Sequence, residues 1–286
     1  MKFFDLHCDT ITECYRQNKS LKSNDLDISL ERGKYLDSWT QVFAIWLPDD
    51  VRGNDAEIYY ENIFSKYKEE IKDAENVKPI LAVEGGAVLN GKLENIEKLH
   101  NDGVKILTLT WNKDNEIASG CFSEEDKGLT PFGKEAVREL TKRNIIPDVS
   151  HLGEKSFYDL CEETDFPFIA SHSDAFSLNP HVRNLKDEQI KIIVERKGLI
   201  GLNFYNKFLG SGNATETLIR HADYMLNLGA ENVLCMGSDF DGCSIDEELK
   251  GIEKMESVYN AFTDFFGEKL TDKIFYENAN SYLLNK

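Results

Sequence analysis

The sequence lacks any long apolar run. A helix that crosses a bilayer needs about 20 consecutive apolar residues, and no apolar stretch of this chain approaches that length. The first residues, 1–7, turn polar at Asp5, so we expect no signal peptide with its apolar core. These features predict a cytoplasmic protein that neither crosses nor enters a membrane.

Positive charge is also scarce. Lysine and arginine total 33 against 51 for aspartate and glutamate, which gives a formal net charge of −18. Proteins that bind nucleic acids neutralise phosphates with clustered basic side chains, and anionic membrane surfaces attract basic segments. The charge balance therefore argues against both partners and favours a small substrate, held in part through a bound cation.

The six cysteines are scattered and show no Cys-x-x-Cys spacing. This pattern predicts reduced, mostly buried thiols and argues against a disulfide framework. Disorder is excluded as well, because 41% of the 286 residues are hydrophobic and a chain of this length can bury a large core.

Eight short apolar runs alternate with segments of helical periodicity, which predicts a single-domain (β/α)8 TIM barrel over residues 1–286. A doubly wound open sheet is the alternative, but no Gly-x-Gly-x-x-Gly follows the first run. The predicted strands are 2–8, 41–47, 78–84, 104–110, 145–150, 166–171, 198–204 and 232–238.

The segments between these strands predict helices and one long loop. The loop, 112–130, follows the fourth strand, and two C-terminal helices at 246–266 and 270–285 are expected to cover the outside of the barrel. The other predicted helices are 56–73, 132–143, 154–163, 186–197 and 215–229.

Ionisable residues fall where the apolar runs end. The carboxyl ends of barrel strands meet at one mouth, so these side chains are expected to lie together there. Within the first strand, the two-residue period places the His and the Asp on one side and Cys8 on the other. The residues are His7 and Asp9 after strand one, Glu84 after three, His151 after five, His172 after six and Asp239 after eight.

Several carboxylates at one mouth repel each other unless a proton or a cation intervenes. Nitrogen and oxygen ligands without a thiolate suit Zn²⁺, with Mn²⁺, Co²⁺ or Fe²⁺ as alternatives. Five ligand residues exceed what one open catalytic zinc uses, so they favour two divalent ions that share a bridging carboxylate.

Each of these residues alone has an ordinary explanation. The His7-x-Asp9 pair could cap a helix, and Asp239 could belong to a turn. Single histidines at strand ends are more often structural, and we expect His100 and His221 on the surface of helices. The joint occurrence at five strand ends is what indicates a metal-dependent hydrolase.

These residues lie in motifs that resemble the membrane dipeptidase (renal dipeptidase) family of amidohydrolase-like metal-dependent hydrolases. The resemblance spans nearly the whole chain and implies a TIM barrel with two zinc ions that hydrolyses dipeptides and tolerates a D-residue at the C-terminal position. The matching segments are FDLHCDT (4–10), AVEGG (82–86), LTLTWN (107–112), GLTPFG (128–133), DVSHLGEKSF (148–157), ASHSDAFSLNPHVRNLKDEQI (170–190), GLIGLNFY (198–205) and MGSDFDG (236–242).

The resemblance also implies roles for these residues. His7 and Asp9 would bind one metal, Glu84 would bridge both metals, and His151 and His172 would bind the second. Asp239 would transfer the proton between water and the leaving amine. By itself, the arginine at position 183 could equally form a surface ion pair; the resemblance makes Arg183 the group that binds the substrate carboxylate, a pairing that guanidinium geometry favours.

Two substrate contacts depart from the family pattern or stay open. Trp111 stands where many members have a histidine, and indole donates a hydrogen bond but cannot carry a proton. Trp111 could pack on the substrate or simply cap the barrel. Tyr205 is the candidate for the family's tyrosine near the substrate, with Phe208 close by in the sequence.

The expected reaction is attack by a metal-activated hydroxide on the peptide carbonyl of a small dipeptide. Hydrolysis of another small amide, a lactone or a phosphoester on the same barrel is the alternative, because a fold and a metal site do not fix the substrate. A metal-stabilised protein without catalysis is a third. A homodimer is compatible with the sequence, which does not determine the oligomeric state.

Overall fold

The computed structural model describes residues 1–72 and 74–284. Over these residues, eight parallel strands form a closed barrel in sequence order, as predicted. The strands are β1 (Lys2–Cys8), β2 (Ser38–Trp46), β3 (Lys78–Glu84), β4 (Val104–Thr108), β5 (Ile146–Asp148), β6 (Ile169–Ala170), β7 (Leu199–Leu202) and β8 (Leu234–Met236).

Helices surround the barrel, and none in the described ranges is long and apolar enough to span a bilayer. Their bounds are α1 (Thr10–Arg16), α2 (Asn54–Ile71), α3 (Glu94–Asn101), α4 (Pro131–Lys142), α5 (Glu154–Glu163), α6 (Asp187–Glu195), α7 (Asn206–Leu209), α8 (Ala214–Asn227), α9 (Met255–Phe266), α10 (Glu268–Asp272) and α11 (Asn278–Leu283), with a π-helix at Lys273–Glu277 between the last two.

Two apolar layers follow from the alternation of side chains along the strands. The outer layer packs the barrel against the helices. The inner layer fills the barrel, where alternate residues of every strand point inward. It consists of Phe4, Leu6, Val42, Ala44, Ile80, Ala82, Ile106, Ile146, Ile169, Leu199 and Cys235, with Ala279 and Tyr282 of α11 packed against it.

An irregularity in β1 aims its histidine at the mouth of the barrel. Phe4 and Leu6 point inward, so strict alternation would turn His7 outward. The pairing of β1 with β2 shifts register between Asp5 and Cys8, and such bulges re-aim side chains beside functional sites. Cys8 therefore joins the outer apolar layer, as expected, while His7 lies beside Glu84.

The strands β4 to β8 are shorter than predicted, and a buried side chain binds the backbone where β5 and β6 end. Asp148 is fully buried at the end of β5. Its Oδ1 accepts hydrogen bonds from the backbone N–H groups of Ser150 (3.0 Å) and Ser171 (2.9 Å). Its Oδ2 accepts from the hydroxyls of Thr108 (2.5 Å) and Ser171 (2.6 Å). One carboxylate thus ties the ends of three neighbouring strands.

The helical predictions hold within a few residues, with one correction. The helix predicted at 246–266 begins only at Met255, because Gly251 takes a positive φ of 90° and interrupts the segment. Residues 73 and 285, which end the predicted helices 56–73 and 270–285, lie outside the described residues. The loop 112–130 contains no helix or strand in the described chain.

The prediction for His221 is wrong, whereas His100 is exposed as expected. His221 is fully buried on the inner side of α8. Its Nδ1 accepts from the Ala175 backbone N–H (3.1 Å), and its Nε2 donates to the Leu209 carbonyl (3.0 Å). This histidine therefore links three segments of the outer layer.

Replacing Asp148 tests the carboxylate anchor. We expect Asp148→Ala to lower the free energy of unfolding by about 3–5 kcal/mol, because it leaves buried donors of Thr108, Ser150 and Ser171 without an acceptor. Chemical denaturation in the presence of a chelator measures this without any contribution from metal binding. The exposed Asp165→Ala should change stability by no more than about 0.5 kcal/mol; equal effects of the two variants would contradict the assignment.

Candidate metal centre

The ionisable side chains predicted at the strand ends converge at one mouth of the barrel. The side-chain nitrogen and oxygen atoms form three overlapping groups whose members lie within 4.8 Å of one another. Nearly all of these side chains are buried, so their charges cannot be screened by bulk water. The groups are His7, Asp9 and Glu84; Glu84, His151 and His172; and His7, His172 and Asp239.

Glu84 lies at the centre of the cluster, with its two oxygens directed at different neighbours. Oε1 is 2.9 Å from His151 Nε2 and 3.5 Å from His172 Nε2. Oε2 is 3.7 Å from His7 Nε2, and that nitrogen is 3.8 Å from Asp9 Oδ2. The carboxylate therefore stands between two sets of ligand atoms.

Several of these atoms are buried without a hydrogen-bond partner, namely His7 Nε2, Asp9 Oδ1 and Glu84 Oε1. The short distance from Glu84 Oε1 to His151 lacks the angles of a hydrogen bond. Unpaired buried polar atoms are costly, and a cation would pair them all. The imidazole and carboxylate donors fit a divalent ion of the zinc, manganese, cobalt or iron type.

Neighbouring side chains contact the Nδ1 atoms of His151 and His172. His172 Nδ1 is 2.7 Å from Ser171 Oγ, whose hydroxyl donates to the anchor carboxylate Asp148. His151 Nδ1 is 3.1 Å from Asn112 Oδ1. These contacts occupy Nδ1 on both rings and leave Nε2 facing Glu84, which is how outer contacts orient imidazole ligands in metal sites.

The charges of the cluster shift the protonation of its histidines in opposite directions. For His7, burial opposes the charged form, but Glu84 and Asp9 raise the pKa to about 10. Burial, together with the charge of Arg183, lowers the pKa of His151 and His172. The carboxylates thus favour a positive charge at His7, whether a proton or a metal ion, while the rings of His151 and His172 stay neutral, the form that binds metals.

Two residues of the site have left-handed backbone conformations, with φ of 71° at His151 and 62° at Asp239. Such conformations are rare outside glycine and concentrate at functional sites. Burial raises the pKa of Asp239 to about 6. A Cβ atom on Gly242 would lie 2.2 Å from Asp9 Oδ2 and 2.3 Å from Asp239 Oδ1, so the loop after β8 passes directly over these carboxylates.

Arg183 lies beside the cluster and is 4% exposed. Its Nη2 donates to the His172 carbonyl (3.4 Å), whereas its Nε has no partner. Its guanidinium carbon is 5.2 Å from the centroid of the Phe208 ring, which Tyr205 contacts edge-on at 4.8 Å. The structure thus places Tyr205 beside the ring under Arg183 and outside the ionisable cluster.

The mouth opens into a cavity of about 190 Å³ whose wall contains Trp46 and Trp111. Their rings meet edge to face at 4.9 Å, and the Trp111 ring is 6.4 Å from that of His151. A larger cavity of about 930 Å³ lies at the other end of the barrel and contains none of the cluster. The smaller cavity is the one next to the ionisable groups.

Comparison with known proteins agrees with this geometry. The model of the membrane dipeptidase family, peptidase family M19, matches residues 1–279. The chain belongs to the membrane dipeptidase family. The predicted family and enzyme class, a metallo-dipeptidase, are thereby confirmed, and membership implies the use of a divalent metal.

Individual relatives extend this comparison. An uncharacterized protein encoded in the pqqA 5′ region of Klebsiella pneumoniae is 30% identical over 71% of this chain and 80% of its own length. An uncharacterized dipeptidase of Schizosaccharomyces pombe is 33% identical over 60% of this chain, but the match spans only 43% of that protein. The matched segment therefore corresponds to less than half of the yeast relative.

The barrel itself matches solved structures closely. A metallopeptidase from Rhodobacter sphaeroides, solved with a phosphinate mimic of the dipeptide L-Ala-D-Ala, superposes with a TM-score of 0.91 at 24% identity, covering 99% of this chain and 98% of that one. At this identity the likeness establishes the fold, which confirms the predicted TIM barrel.

Sequence reasoning missed the polar residues behind the cluster. Asp148 and Ser171 lie in the same sequence motifs as His151 and His172, and only the two histidines were predicted to be site residues. Asn203 belongs to the segment from which Tyr205 was chosen, and it contacts Asp239 directly (3.2 Å). The available signal was position, because all three residues lie at or next to the C-terminal end of a strand.

Metal binding is expected to stabilise the protein. At a free metal concentration one hundred times Kd, the gain is about 2.7 kcal/mol, or a rise in Tm of roughly 5–10 °C. A chelator should reverse this rise in Tm. Glu84→Gln should abolish most of the rise, because the amide cannot offer two anionic oxygens. Thermal unfolding with and without Zn²⁺ measures this, with the exposed Glu94→Gln as the matched control. Full stabilisation of Glu84→Gln would contradict the central role of Glu84.

Proposed function

We propose that this chain hydrolyses dipeptides with a free C-terminal carboxylate, at a pair of zinc ions, and that it accepts a D-residue in the second position. The observation that carries the proposal is Glu84, whose two oxygens face separate sets of ligand atoms. His7, Asp9 and Glu84 would hold one ion, and Glu84, His151 and His172 would hold the other. When bound, such ions lower the pKa of water and polarise a carbonyl.

Asp239 is suited to move the proton that hydrolysis requires. Its Oδ1 is 3.9 Å from His7 Nε2 and so faces the ligand cluster, while its Oδ2 accepts a hydrogen bond from Asn203. Water adds to the peptide carbon as Asp239 Oδ1 takes its proton. The same oxygen returns that proton to the leaving nitrogen as the C–N bond breaks, which yields two amino acids.

Arg183 is suited to bind the substrate carboxylate. Its guanidinium is buried, its Nε lacks a partner, and its charge acts on Glu84 and Asp239. A carboxylate would supply acceptors for several of its donors at once. The cavity of about 190 Å³ next to the cluster suits a small substrate, and the L-Ala-D-Ala mimic bound by the Rhodobacter sphaeroides relative supports a dipeptide with a D-residue in the second position.

A dipeptide panel tests the reaction. Zinc-loaded protein should hydrolyse L-Ala-D-Ala, L-Ala-L-Ala and Gly-Gly, and Asp239→Asn should lower kcat by about 100- to 1000-fold with metal content unchanged, since a positioned acid–base group contributes that much. Amino acid release and metal analysis are the measurements, with the exposed Asp264→Asn as control. Turnover of lactones or phosphoesters alone would refute the dipeptidase proposal. Loss of metal in Asp239→Asn would instead make Asp239 a ligand.

The role of Arg183 predicts a specific loss. Wild-type protein should prefer L-Ala-D-Ala over its C-terminal amide by roughly 30- to 1000-fold in kcat/KM, because a buried charged contact contributes about 2–4 kcal/mol. In Arg183→Met this preference should disappear, whereas the exposed Arg138→Met should retain it. A preference that survives in Arg183→Met would place carboxylate recognition elsewhere.

A further inference from the structure

Asn203 is a fully buried amide directly after β7, between the ligand cluster and Arg183. Its side chain donates from Nδ2 to Asp239 Oδ2 (3.2 Å) and to the His172 carbonyl (3.4 Å). Its Oδ1 accepts from the Tyr205 backbone N–H (2.6 Å). Every polar atom of the side chain therefore has a partner.

These partners allow only one orientation of the amide. If the amide rotated by 180°, Oδ1 would face the oxygens of Asp239 and His172, and Nδ2 would face the N–H of Tyr205. Oδ1, an acceptor, would then face two other acceptors, and the Nδ2 donor would face the Tyr205 N–H donor. Because the group is buried, each mismatch would cost the free energy of an unpaired polar atom. The amide is thus held rigidly with its N–H bonds toward Asp239.

The hydrogen bond distinguishes the two oxygens of Asp239. Asn203 occupies Oδ2, and Oδ1 is left facing His7 Nε2. We propose that Asn203 is a positioning residue that holds the Asp239 carboxylate so that Oδ1 faces the reacting centre. This inference rests on the proposed function only for the consequence in catalysis; the geometric claim about Asp239 stands apart from it.

Asn203 also connects Asp239 to the carboxylate-binding arginine. The His172 carbonyl accepts from both Arg183 Nη2 and Asn203 Nδ2, each at 3.4 Å. The backbone N–H of Asn203 donates to Asp174 Oδ1 (3.1 Å), a fully buried carboxyl on which the charge of Arg183 acts. The His172 carbonyl and the Asn203 amide therefore fix the distance between Arg183 and Asp239.

Two substitutions separate positioning from packing. Asn203→Ala removes the donor, and Asn203→Asp keeps the shape but places an oxygen against Asp239. We expect kcat to fall about 100-fold in Asn203→Ala, because misplacing a catalytic group by about 1 Å costs that much, and further in Asn203→Asp. KM should stay within about threefold, since Arg183 still binds the substrate carboxylate, and metal content should match wild type. A kcat that stays at the wild-type value in Asn203→Ala would overturn the proposal.

Asn278 provides the matched control at the other end of the barrel. It is also a buried amide, and its Nδ2 donates to the carbonyls of Glu231 (2.9 Å) and Leu234 (2.8 Å). Asn278→Asp should lower Tm without changing kcat of the folded enzyme. If Asn203→Ala behaves in the same way, with lower Tm and normal kcat, then Asn203 has a packing role only and the proposal is wrong.

A crystal structure of Asn203→Ala gives a readout that does not depend on activity. We expect the Asp239 carboxylate to rotate away from its wild-type position, with Arg183 in place. An unmoved carboxylate would overturn the proposal, even if kcat had fallen. If wild-type protein hydrolyses no dipeptide, the proposed function fails, and this structure still decides whether Asn203 holds Asp239.

Discussion

The close approach of buried carboxylates to imidazoles around Glu84 is the constraint on which the rest of the site depends. Glu84 is 2% exposed and Asp9 is 6% exposed, so water cannot disperse their charge. A closed barrel also prevents the strand ends from moving apart, because each strand is hydrogen-bonded on both sides. The repulsion must be met by positive charge, as the raised pKa of His7 indicates. The geometry that would destabilise an empty site thus favours cation binding.

Such a site requires a rigid frame, and two buried carboxylates on opposite sides of the barrel provide it. Asp148 on β5 accepts from the ends of the neighbouring strands β4 and β6. Asp5 on β1 accepts from Gln41 Nε2 (2.7 Å) on one side and from the Ser238 hydroxyl (2.6 Å) on the other. Both carboxylates receive only donors from neutral groups. They therefore position the strand ends without a cationic partner.

The sequence predicted the parts of this site that depend on strand order. Residues at strand ends, such as Glu84, must meet at the mouth of any closed barrel. It did not predict that β1 needs a bulge to aim His7, because register depends on the neighbouring strand. Asn203 and Asp148 were missed because their partners come from other strands. His221 was predicted wrongly although Leu218, Ala222 and Met225 mark the buried side of its helix; a helical-face argument would have placed it inside.

Trp111 contributes to the shape of the cavity and adds no charge to it. Its ring packs edge-on against Trp46, over which Arg16 lies at 5.5 Å from the ring centroid. An indole cannot accept or carry a proton, so this wall adds apolar surface and leaves the charge balance at Glu84 unchanged. The same cavity wall also contains Asp9, Glu84 and Asp239, which belong to the ionisable cluster. It follows that substitutions of the two indoles should alter which substrates enter, whereas substitutions of the ionisable residues should alter turnover.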